Sequence, residues 1–206
     1  MQAGLSGTDH RLVSHMMLTN TDNTHTTRSR SFPVYEISSP DIVCGASAFP
    51  VRNPDIQTAT ILAGDQVGFH LSSPDSAGDA QPIIFHEGPG QVFLSPLPAD
   101  IDDLRDYDVT GQPFFKIAFA GPNSSTTWEL ENESVMKFNI PATTPPGKYV
   151  MRIEHFMPNW IKGQSQWFVS CAHVDIVGKG GGSPSGFISF PGAYKEDDPS
   201  TYPYLK

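Results

Sequence analysis

The chain sets short apolar runs between stretches of glycine, proline and small polar residues, and no sustained helical period runs through it. Such runs, bounded by breakers, read as β-strands. The first covers residues 10–18, with a loose alternation from His10 to Leu18. Residues 20–31 are polar and aperiodic and read as a loop. Asp41-Ile42-Val43-Cys44 follows Pro40 and reads as a strand or its start. Over residues 57–71, the strand formers Thr58, Thr60, Ile61, Val67, Phe69 and Leu71 flank Ala63-Gly64-Asp65, which predicts a hairpin.

Residues 83–94 read as two strand pieces separated by the Gly88-Pro89-Gly90 corner. An aspartate-rich loop follows at 96–108, with a helical turn or surface loop at 100–105; its acidic spacing does not match an EF-hand. Further strands are expected at 113–119, at 135–140 with alternating faces, at 148–154 after the Pro145-Pro146-Gly147 turn, and at 166–177. On the last of these, Gln166, Phe168 and Ser170 share one side, and Trp167, Val169 and Cys171 the other. The pattern predicts an all-β fold, a two-sheet antiparallel β-sandwich of immunoglobulin/fibronectin-like type with long surface loops. Residues 10–206 form one domain, with an extended C-terminal tail from about 179 that wraps the surface. Residues 1–9 are an extension or a signal remnant.

Composition agrees with many turns: 19 prolines, 18 glycines and only 17% charged residues in 206. The formal net charge of -9 repels phosphate backbones, so nucleic acid is not an expected partner. A neutral polymer would be indifferent to that charge. No stretch is long and apolar enough to cross a membrane. The first residues contain no apolar signal core, so the signal peptide is missing from this sequence or the chain is not exported. The sequons at Asn123 and Asn132 are candidate glycosylation sites and favour secretion. Cys44 and Cys171 fit either one disulfide or two free thiols.

Among chemistry-bearing residues, His86 stands out. It ends the apolar run Ile83-Ile84-Phe85 just before Gly88-Pro89, which places it at a sheet rim, open to metal, substrate or water. His15, His25, His70, His155 and His173 read as structural or surface residues, and Trp128, Trp160 and Trp167 as packing. A hydrolase would need two carboxylates across a cleft, for which Glu87 and Glu154 are candidates. The Gly180–Gly182 run lacks the Lys-Ser/Thr and helix of a phosphate loop.

The pieces Asp41-Ile42-Val43-Cys44, Ala63-Gly64-Asp65-Gln66-Val67, His86-Glu87-Gly88-Pro89, Phe114-Phe115-Lys116-Ile117, Pro146-Gly147-Lys148-Tyr149 through Arg152-Ile153-Glu154, Gln166-Trp167-Phe168-Val169-Ser170-Cys171 and Phe190-Pro191-Gly192-Ala193-Tyr194-Lys195 occur in a characteristic order. In that order and spacing the chain resembles the fungal lytic polysaccharide monooxygenases of auxiliary-activity family nine, formerly glycoside hydrolase family sixty-one. The resemblance implies a secreted, monomeric copper oxidoreductase that cleaves cellulose or related β-glucans at C1 and/or C4, supplied by an external electron donor. It implies one copper ion in a histidine brace, with His10 giving its amine and ring and His86 its ring. It implies a disulfide between Cys44 and Cys171, and Gln166 as the outer glutamine of the site. Tyr202 and Tyr204 are candidates for the sugar-stacking face.

Three positions depart from the family pattern. His10 follows residues 1–9, so its nitrogen is an amide unless the chain is cut before it. Phe168 stands where the family usually has an axial tyrosine, and cannot coordinate. Asn159 stands where an outer histidine is common. The alternative is therefore a catalytically inactive member of the same fold, acting as a carbohydrate- or cell-wall-binding protein.

Overall fold

The computed structural model describes residues 33–45, 56–71 and 83–198. Its elements are α1 (Asp41–Cys44), β1 (Thr58–Leu62), β2 (Gln66–His70), β3 (Gly90–Pro96), a 3-10 turn (Leu104–Asp106), β4 (Pro113–Ala120), β5 (Val135–Asn139), β6 (Gly147–Met157), β7 (Gln166–Val177) and β8 (Ile188–Ser189). Six strands form one sheet in the order β1-β7-β6-β3-β4-β8, and β2 pairs with β5 in a second. The sandwich expected from the strand pattern is present. The strand expected at 10–18 lies outside the described residues.

Both faces of the six-stranded sheet are covered. On the inner face Val92, Leu94, Tyr149, Met151, Ile153, Ala172, Val174 and Ile176 pack against Val67, Phe69, Met136 and Phe138 of the small sheet. On the outer face Phe93, Phe114, Val150, Phe156, Trp167 and Cys171 pack under Ile42, Val43, Leu104 and Phe190. A strand covered on both sides is buried without alternation, as β3 is from Val92 to Ser95 and β6 from Tyr149 to Phe156. On β5, buried Met136 and Phe138 alternate with exposed Lys137 and Asn139, because only one face is covered there.

Four expectations need correction. The 57–71 segment is not a hairpin: β1 joins β7 in a parallel pair, and β2 crosses to the other sheet. The turn at Ala63–Asp65 carries the chain between layers, and Gly64 N donates to Ile140 O rather than closing a ladder. Asp41–Cys44 is a helical turn, although its β-branched residues favour a strand. It is held by the Cys44–Cys171 disulfide, with Cα atoms 5.1 Å apart, and by Arg152, whose Nε and Nη2 donate to Val43 O and Ile42 O at 2.9 and 2.8 Å. Residues 83–89 form no strand; Ile84 exchanges backbone hydrogen bonds with the 132–133 turn, and the ladder begins at Gly90. The tail does more than wrap the surface. It adds β8 beside β4, and Phe190 is fully buried in the outer core.

Candidate functional site

The end of the sandwich where β3 begins, β6 ends and β7 begins gathers the candidate residues. His155 on β6 stands opposite Phe168 on β7 and Gly90 on β3, so it shares their inner-face side. Gln166, two residues before Phe168, points to the same side at the mouth of the sheet, opposite Met157. His86 sits on the segment leading into β3. Its ring stacks on Phe168 at 5.6 Å between centroids and meets Phe85 at 4.1 Å on another side. The His155 ring lies 6.0 Å from Phe168.

The His86 segment is fixed to β6 by backbone. Phe156 N donates to Pro89 O at 2.9 Å. Gly88 has a φ of 136°, and a Cβ there would lie 1.9 Å from Phe156 O. Only glycine allows that approach, so Gly88 sets how closely the histidine segment presses on the strand.

Burial disfavours the charged form of both imidazoles. Desolvation lowers the pKa of half-buried His86. His155 is pushed to about 4, first by desolvation and then by its proximity to His86, against the opposing pull of the backbone at Gly88 and His86. Its Nε2 is buried without a hydrogen-bond partner. Neutral imidazoles are the form that ligates metals. His86 is thus an imidazole, a residue type that ligates transition metals, carried on a segment fixed to β6. Among the described residues no group of three His, Cys, Asp or Glu is gathered.

The remaining candidates divide clearly. His10, Tyr202 and Tyr204 lie outside the described residues. Phe168 is in place beside His86 and offers a ring face, not a donor. Asn159 is committed to its own loop: its Oδ1 accepts from Ile161 N at 2.9 Å, and its backbone N donates to Ser165 Oγ at 3.0 Å. Glu154 is fully buried on the outer face, paired with Arg152 at 2.6 Å, while Glu87 is exposed at the rim. They do not face each other across a cleft, which removes the paired-carboxylate reading. Asn123 and Asn132 are both exposed in the loop before β5.

Two residues at this end were read otherwise from the sequence, Phe85 as part of an apolar run and Trp160 as packing. Phe85 and Trp160 are each 71% exposed, more than any other large apolar residue among those described. Gly88 lies against Phe156 and Pro158, which brings the two aromatic-bearing segments together beside His86. His155 was read as a structural strand residue. Its place opposite Phe168 became visible only with the β6–β7 register.

The sequence model of Auxiliary Activity family 9 (formerly GH61) matches residues 4–205. The chain belongs to this family. It is 50% identical over 167 residues to AA9 family lytic polysaccharide monooxygenase U of Thermothielavioides terrestris, covering 81% of this chain and 62% of that protein. It therefore spans less than two thirds of that relative's length. It is 35% identical over 173 residues to AA9 family lytic polysaccharide monooxygenase H of Malbranchea cinnamomea, covering 81% and 69%. Among solved structures, the extended catalytic domain of H. jecorina LPMO9A superposes with a TM-score of 0.67 at 24% identity, covering 86% of this chain and 70% of that one. The H. jecorina protein Cel61B superposes with a TM-score of 0.68 at 20% identity, covering 94% and 85%. These two likenesses carry the family 9 fold, the immunoglobulin-like sandwich described above.

Proposed function

We propose that this family 9 chain is a copper-dependent lytic polysaccharide monooxygenase acting on cellulose or a related β-glucan, with His10 as its mature N-terminus. The observation that carries the reading is a partly buried His86 held at the rim against Phe168, at the end of the sandwich that exposes Phe85 and Trp160. His86 and His10 would hold the metal. Copper held there supplies one-electron chemistry toward oxygen or peroxide, with electrons from an external donor.

The protein's own part is placement. The Gly88–Phe156 approach fixes where the His86 ring sits. Phe168 covers one side of that ring and keeps water from it. Gln166 brings a neutral amide to the mouth of the same face, able both to donate and to accept a hydrogen bond. Phe85 and Trp160 offer ring faces to pyranose rings, alongside Tyr202 and Tyr204. The Cys44–Cys171 disulfide and the exposed sequons at Asn123 and Asn132 suit a secreted, glycosylated monomer.

Phe168 and Asn159 favour a second reading, a non-catalytic family member that binds carbohydrate. Copper(II) titration by calorimetry and electron paramagnetic resonance separates the two. It is run on the full chain and on a chain trimmed to begin at His10. Tight binding with a type-two signal in the trimmed chain, and oxidised oligosaccharides released from cellulose with a reductant, support the enzyme. Weak binding in both forms removes it.

A further inference from the structure

The segment that leads into β3 turns apolar side chains outward. Burial alternates along it: Ile83, Phe85 and Glu87 are exposed, and Ile84 and His86 are partly buried. Ile84 packs against the inner core, which accounts for one side of the segment. The other side leaves Ile83 42% and Phe85 71% exposed. A single apolar side chain in water needs no explanation, but neighbours on one face mark a surface that something covers.

Beside them stands a sequon. Ile84 N donates to Glu133 O at 2.9 Å, and Asn132 N donates to Ile84 O at 2.8 Å, so the 132–133 backbone lies alongside the residue between Ile83 and Phe85. Glu133 N closes a turn on Leu130 O, with Asn132 in its third position at a φ of 67°. Such a turn takes glycine or asparagine there, so the backbone accounts for Asn132. It asks nothing of residue 134, where a serine completes Asn132-Glu133-Ser134. Asn132 is exposed, as a bulky substituent requires. The sequon at Asn123 belongs to another turn, in which Asn123 N donates to Thr127 O. Among the described residues no backbone hydrogen bond joins it to the Ile83–Phe85 segment.

We propose that an N-linked glycan on Asn132 covers Ile83 and Phe85, with one face of its first N-acetylglucosamine on the Phe85 ring. The C–H bonds of a pyranose face carry partial positive charge, which suits the negative face of an aromatic ring. The chain's own sugar then occupies this edge of the His86 rim, and a polymer reaches the site from the side of Trp160. This rests on the reading of the chain as secreted, and not on copper.

The test uses the full chain without metal, secreted from a glycosylating host behind that host's leader. Peptide mapping reads occupancy at Asn132. Endoglycosidase H then leaves one N-acetylglucosamine on the asparagine, and peptide N-glycosidase F leaves none. The form with one sugar should show nuclear Overhauser contacts between that sugar and the Phe85 ring, with sugar protons shifted upfield; both should vanish in Phe85→Ala. Binding of the apolar dye anilinonaphthalene sulfonate should stay low with one sugar and rise when none is left. Ser134→Ala and Asn132→Gly remove the sequon, the second keeping the left-handed backbone of the turn, and should bind dye like the stripped chain. Asn123→Gln should leave dye binding unchanged. An occupied Asn132 without sugar contacts to Phe85, or equal dye binding with and without the sugar, overturns the proposal whether or not copper binds. Secretion with Asn132 bare overturns it and leaves the secreted reading standing; retention of the chain in the host overturns both. Where the sequon variants fail to fold, the enzymatically stripped parent decides.

Discussion

Strand β6 carries two opposite solutions to a buried polar group on its two faces. On the outer face Arg152 and Glu154 are fully buried, yet nearly every atom is used. The guanidinium donates to Ile42 O and Val43 O, pairs with Glu154 and lies 3.7 Å from the centre of the Phe190 ring. Glu154 accepts from Gln91 Nε2 at 2.8 Å and from the Tyr194 hydroxyl, whose own pKa is raised, first by burial and then by that carboxylate. On the inner face, one residue on, His155 is held neutral with a nitrogen unpaired. On that face Arg152 and Glu154 join α1, β3, β6 and the tail into one body. The inner face leaves polarity incomplete where the rim histidine sits. On β6, buried charge is architectural, and the imidazole of His155 borders the candidate site.

The sharpest way to break the outer face is at its covalent staple. Replacing Cys44 and Cys171 by serine releases a closure of 127 residues and should cost about 4–5 kcal/mol in urea-unfolding experiments. Arg152→Met should cost about 3–5 kcal/mol, because it strands the Glu154 carboxylate and the carbonyls of α1.

Acid probes the neutral imidazoles. His155 and His173 sit at about 4 in the folded protein against an ordinary 6.5. The unfolded chain therefore takes up protons that the native one refuses, so stability falls as pH drops from about 6.5 towards about 4 and is fully present above that window. Each group contributes at most about 3 kcal/mol across it. His173→Gln should remove roughly half of this acid sensitivity in pH-dependent thermal unfolding. At the rim the expected structural effect is smallest. His86→Ala and Trp160→Ala should each shift stability by less than about 0.5 kcal/mol. The first should abolish copper binding, and the second should weaken adsorption to cellulose in a pull-down assay.

The same division governs what could be read from the chain. Strands β4 to β7 were legible because turn signals and apolar runs bounded them, and β5 because one-sided burial gives alternation. The parallel β1–β7 pair was not, since Thr58 meets His173 through no local signal. Ile42-Val43 reads as a strand in isolation, and becomes helical because a disulfide and a guanidinium satisfy it from 100 residues or more away. Phe190 lay hidden in glycine- and proline-rich surroundings. At the site, His86 and the shared side of Gln166 and Phe168 followed from breakers and alternation. His155 required a register between two strands, which no single segment encodes.

Phe190 has one more consequence. Its ring meets Phe93, Phe114 and Tyr194 at 5.3, 5.4 and 5.6 Å and covers the Arg152 guanidinium. A polypeptide emerges from the ribosome in sequence order, so β3, β4 and β6 are made long before the ring that seals them. The nascent chain must carry an uncovered cation and two bare phenylalanines until residue 190 has cleared the exit tunnel. The outer layer is therefore sealed only after every strand it covers has been made, which leaves those strands to wait with their apolar faces bare.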